Sequence, residues 1–74
     1  MNDQSRDEHY SLVIEWDPDD RIYVVTVPEL PGCMTHGVSY EEAIAQARDA
    51  IASWLDAARD AGVAIPRPRA YAIT

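Results

Sequence analysis

An α+β domain, built as a small antiparallel sheet with one long helix packed on one face, is what this sequence predicts. Three observations carry the prediction. Two runs of alternating apolar residues flank a turn-forming Asp-Pro-Asp-Asp, a helix-start signal follows at Ser39–Glu42, and the apolar pattern then changes to a helical period up to Gly62. The predicted order is β-β-β-α-β.

The first run is Tyr10, Leu12, Ile14 and Trp16, alternating with Ser11, Val13 and Glu15. Asp17-Pro18-Asp19-Asp20 supplies the turn, since proline pre-sets the bend and aspartate bonds its own backbone. Arg21 to Val27 is a second β-rich run, and Pro28 ends it because proline cannot donate to a ladder. Leu30-Pro31-Gly32 turns the chain again, Cys33 to His36 is expected as a short third strand, and Gly37 closes it. Ser39-Tyr40-Glu41-Glu42 reads as a capping box, in which the serine accepts from the Glu42 amide and the Glu42 carboxylate reaches back. Ile44, Ala47, Ile51, Trp54, Leu55 and Ala58 then recur along one helical stripe, with Asp49, Ser53, Asp56 and Asp60 mostly on the other side. Gly62 suits the position after a helix end, so the helix is expected over about 40–61. Beyond it, Pro66 and Pro68 forbid a central strand, and residues 70–74 are expected as a short edge strand. Residues 1–9 are polar and aperiodic, an expected loose tail ahead of a domain at 10–74.

Seventy-four residues suffice for one domain with a thin core. Apolar residues make up 47% of the chain, but eleven are alanine and none is phenylalanine, so self-association into a dimer or larger homo-oligomer is expected. Thirteen acids against six bases, all arginine, give a net charge of −7. That field repels phosphates, which disfavours direct nucleic-acid binding and suits a basic protein partner. A single cysteine excludes an internal disulfide, and no membrane-length or secretory apolar run is present, so a cytoplasmic protein is expected.

One helix covers one face of a sheet. With Tyr10, Leu12, Ile14 and Trp16 facing it alongside Tyr23, Val25 and Val27, the residues Val13, Val24 and Thr26 line the other face. That face is short of charge for a solvated surface, so a partner or a second copy is expected there.

Catalytic constellations are sparse. Cys33 and His36 stand three apart, which on a strand points them to opposite sides, and a structural zinc would need more ligands than the chain offers. Glu15, Asp17, Asp19 and Asp20 bunch at a hairpin tip, where a magnesium site would lack a dry cavity. They read as turn chemistry and a negative patch. Arg67 and Arg69 form the one basic cluster, too small for nucleic-acid affinity, and Trp54 reads as core. No catalytic residue, cofactor or metal site is expected.

The pattern from Tyr10 through Pro68 resembles the HicB-type antitoxin family. The residues that carry the likeness are Tyr23-Val24-Val25, Val27-Pro28-Glu29-Leu30-Pro31-Gly32-Cys33, Thr35-His36-Gly37, Glu41-Glu42-Ala43, Trp54-Leu55, and Gly62 followed by Ile65-Pro66-Arg67-Pro68. The resemblance implies a partial RNase H-like fold without catalysis, and neutralisation of a small basic mRNA-cleaving toxin, HicA, by covering its active surface. Many family members continue into a DNA-binding segment; this sequence stops at Thr74, so operator binding by it is not expected. The expected contacts are Val13, Val24 and Thr26 with the acids Glu15, Asp17, Asp19 and Asp20. Two alternatives stand beside this reading. One is a vestigial RNase H-like metal-dependent nuclease using those acids; the other is an oligomeric scaffold without a toxin.

Overall fold

A computed structural model describes residues 9–71. Strands β1 (Val13–Asp17), β2 (Ile22–Thr26) and β3 (Met34–Gly37) form an antiparallel sheet in the order β1-β2-β3, and helix α1 (Tyr40–Ala61) lies across one face. This is the expected α+β architecture, and the helix has the expected bounds.

The sheet is shorter than the alternation suggests. Residues 10–12 were expected in the first strand, yet β1 begins at Val13, opposite Thr26. The reason lies in the partner strand, because Pro28 has no N–H to extend the ladder. The amide of Ser11 finds the Glu29 carboxylate instead, at 3.1 and 3.0 Å from its two oxygens. Arg21 and Val27 fall just outside β2, and β3 starts one residue later than expected and includes Gly37. The predicted fourth strand does not form at Ala70 or Tyr71; residues 72–74 lie outside the described residues.

Between β2 and β3 two turns follow directly. The Leu30 amide donates to Val27, and the Cys33 amide donates to Leu30. In the second turn Pro31 holds the first central position and Gly32, at φ 77°, the second, which is the type II pattern requiring a left-handed residue there. The Val27 amide closes the loop on the Cys33 carbonyl at 3.0 Å. This folding tucks Leu30 and Cys33 into the core with Tyr10, Val27, Ile51 and Leu55. Outside the core, the indole N–H of Trp54 donates to the Pro31 carbonyl at 2.9 Å and ties helix to turn.

Both ends of α1 are capped. Ser39 accepts from the Glu42 amide, while the Glu42 carboxylate accepts from the Val38 amide, one residue before the cap. At the other end Gly62 adopts φ 71°, its amide donates to Arg59, and the Val63 amide donates to Ala58, completing a Schellman motif. The buried stripe is Ala43, Ala47, Ile51, Leu55 and Ala58. Ile44, expected within it, sits exposed at its margin, and Ala43 takes the inward position.

The sheet comes very close to the helix at this point. A Cβ placed on Gly37 would lie 2.5 Å from the Ala43 nitrogen and 2.8 Å from its Cα, which are helix backbone atoms with no room to yield. Gly37 therefore serves contact distance. Val25, Ala43 and Ala47 seal this seam completely. Gly37→Ala is expected to cost about 3 kcal/mol by overpacking, read as a lowered denaturant midpoint; an unchanged midpoint would contradict the close approach.

Glu29 joins three separate segments. Its carboxylate accepts from the Ser11 amide and hydroxyl, and from the Arg69 amide at 2.9 Å. Burial pushes this carboxyl up, but the Arg69 and Ser11 donors outweigh that and hold it below its ordinary value of 4.5. A depressed carboxylate contributes stability that is present above its unfolded value and lost as pH falls through the folded one. As pH falls below 4.5 the wild type is thus expected to lose stability more steeply than Glu29→Gln, measured by urea unfolding. Parallel profiles would remove Glu29 from that role.

Candidate protein-binding face

The strand register sorts side chains onto two faces. Ile14 opposite Val25 and Trp16 opposite Tyr23 point toward α1. The intervening residues point away and form three rows across the strands. The first is Val13, Thr26 and Met34; the second is Glu15, Val24 and His36; the third is Asp17 and Ile22. No described element covers them.

The expected contact residues fall together on this side. Val13, Glu15, Asp17, Val24 and Thr26 share the face, while Asp19 and Asp20 sit at the hairpin tip beside it. A shallow concavity of about 260 Å³ runs along the face, bounded by Asp17 and Asp20 at one end and by Ile22, Val24, Met34 and His36 over its floor and side. Ile22, Met34 and His36 belong to the same surface and were missed from the sequence. For Ile22 the signal was present, since it precedes Val24 and Thr26 at a spacing of two; Met34 and His36 needed the register of β3.

The tip itself is built by turn chemistry. One Asp17 carboxylate oxygen accepts from the Asp19 amide at 3.0 Å and the Asp20 amide at 3.4 Å, and the Arg21 amide returns to the Asp17 carbonyl at 2.8 Å. Arg21 closes the hairpin at φ 57°, a left-handed position that usually carries glycine. Asp17 is thus occupied by its own backbone, and Glu15, Asp19 and Asp20 are exposed. Among the described residues no group of three or more His, Cys, Asp or Glu is placed to hold a metal ion.

Cys33 and His36 part company as their spacing suggests. Cys33 is buried in the core, where burial pushes its thiol up, and His36 is exposed on the outer face. Among the described residues, no helix is long and apolar enough to cross a membrane.

These features define a small two-layer α+β domain whose distinctive chemistry lies on an open sheet face with an acidic end. The chain belongs to the HicB-like antitoxin family of bacterial toxin–antitoxin systems, whose family model matches residues 10–73. It is 38% identical over 65 residues to a UPF0150 protein of Thermoplasma acidophilum, covering 88% of this chain and 93% of that one. It is 43% identical over 47 residues to a UPF0150 protein of Archaeoglobus fulgidus, covering 64% of this chain and 67% of the relative. No solved structure matches the chain.

Replacing Arg21 by glycine is expected to stabilise the domain by about 0.5–1 kcal/mol, because relief of the left-handed strain exceeds the added chain entropy of glycine. Thermal unfolding checks this, and a lowered midpoint would show that the Arg21 side chain holds the tip.

Proposed function

We propose that this chain is an antitoxin that binds a small, basic, HicA-type mRNA-cleaving toxin through the bare sheet face and occludes its active surface. The single observation that carries the reading is the outer face itself. Val13, Ile22, Val24 and Met34 offer an apolar strip that nothing in the described residues covers, and Glu15, Asp17 and Asp20 supply negative charge beside it. An apolar centre with a charged rim is the anatomy of a protein interface, and the rim sign matches a basic partner. The net charge of −7 favours fast encounter with such a partner. Family membership supports the antitoxin role.

The reading is tested by co-expressing the chain with the product of the neighbouring gene and co-purifying the pair. Val24→Arg places a cation at the centre of the face without entering the core, and is expected to weaken the complex at least about tenfold and to abolish rescue of growth. Glu15→Arg is expected to slow association mainly and to reduce its dependence on salt. Wild-type binding by Val24→Arg would overturn this face as the contact. Rescue of growth without any complex would overturn occlusion.

A further inference from the structure

The concavity on the outer face changes character along its length. Asp17 and Asp20 stand at one end, Ile22 and Val24 continue it as apolar surface, and Met34 and His36 of β3 flank it. Asp17 lies opposite Ile22 in the register, and Val24 lies opposite His36 one row further on. Two residues along a strand advance about 7 Å, so the step from the acidic end to the Val24 row is the length of one long side chain. At about 260 Å³ the hollow also falls short of small-molecule pockets, which run roughly 300–1,000 Å³. It suits a single inserted side chain.

Its acidic end is not neutralised from within. One Asp17 oxygen accepts from the Asp19 and Asp20 amides, which fixes the carboxylate and leaves its second oxygen without a partner among the described residues. Asp20 is exposed, and neither acid forms an ion pair with neighbouring Arg21. The ion pair that does form, Arg59 with Asp56, lies on α1. A bare metal ion does not fit, since no third ligand among the described residues converges with these two acids.

The shape calls instead for a cation carried on an apolar stem. Arginine meets it better than lysine. Its planar fork offers donors to two carboxylates at once, and a guanidinium is more weakly hydrated than an ammonium, so it loses less against apolar surface. Its three methylenes cover the ground between the acidic end and the Val24 row. Arginine is also among the residues that most often dominate interface energies.

We infer that this concavity is an arginine socket: one arginine of the basic partner lays its stem along Ile22 and Val24 and sets its guanidinium against Asp17 and Asp20. The inference rests on the outer face being the partner contact and adds the side chain that face recognises. Glu15 does not line the hollow, so it acts on that partner through its field and not by contact with the arginine.

Two measurements test the socket. The first needs no partner: the full chain is titrated with N-acetyl-arginine methylamide and with its citrulline counterpart, which keeps the stem but lacks the charge, and amide shifts are followed by NMR. The arginine probe is expected to shift Ile22, Val24 and His36 saturably in the millimolar range, and Asp20→Asn to abolish the response. Equal responses to both probes, or none at these residues, would overturn the socket. The second uses the complex with the neighbouring gene's product. Asp20→Asn and Glu15→Gln each remove one negative charge, yet Asp20→Asn is expected to raise Kd at least about tenfold through faster dissociation, while Glu15→Gln chiefly slows association. Changing one particular partner arginine to lysine is expected to add little further loss to Asp20→Asn. If Val24→Arg breaks the complex but Asp20→Asn behaves like Glu15→Gln, the socket falls and the contact face stands. If the arginine probe binds as expected but no complex forms, the socket stands and the proposed toxin partner falls.

Discussion

The backbone of α1 rests directly on the sheet at Gly37, and the rest of the molecule is arranged around that contact. No side chain separates the two layers there: Gly37 meets the Ala43 nitrogen, and Val25 and Ala47 close the seam. Dispersion attraction is strongest at such separations and falls away quickly with a gap of even half an ångström. The capping at Ser39 and Glu42 sets where the helix begins, three residues after the strand ends, so the close approach and the cap act together. Toward the other end of the helix the layers part enough for Ile51 and Leu55 to fill the space with Tyr10, Val27 and Leu30.

A domain with one helix pays for that economy with an uncovered side. The same contact that commits α1 to one face leaves Val13, Ile22, Val24 and Met34 without a lid among the described residues. It also sets the register through which Trp16 and Tyr23 meet Tyr40 beyond the helix start. Two surfaces of different character result. One is an apolar strip with an acidic end, the other a row of three aromatic rings, and they lie on opposite sides of a single sheet.

Glu29 resolves a problem that the prolines create. Pro28 has no N–H to offer opposite Ser11, so the ladder stops there, and the Ser11 amide donates to the Glu29 carboxylate rather than to a strand carbonyl. The carboxylate takes that amide, the Ser11 hydroxyl and the Arg69 amide together, which anchors the entry to β1 and the C-terminal arm to one loop. The arm holds its position through this carboxylate and the Tyr10 hydroxyl, since its own residues form no strand.

What the sequence by itself determined was whatever rests on local chemistry. Helix bounds at Tyr40 and Ala61 followed from a serine cap and a terminal glycine, and the two sheet faces followed from alternation, because both depend on residues a few positions apart. That Val13, Val24 and Thr26 share the outer face was legible for the same reason. The tertiary structure alone decided how far β1 runs, since that depends on whether a distant strand can still donate. It decided that Ala43 is buried and Ile44 exposed, with the Ala43 backbone resting against Gly37. It also brought Met34 and His36 to the outer face and assembled three aromatics from three elements into one ladder. Such juxtapositions join residues far apart in the chain, and local pattern carries no information about distances across a fold.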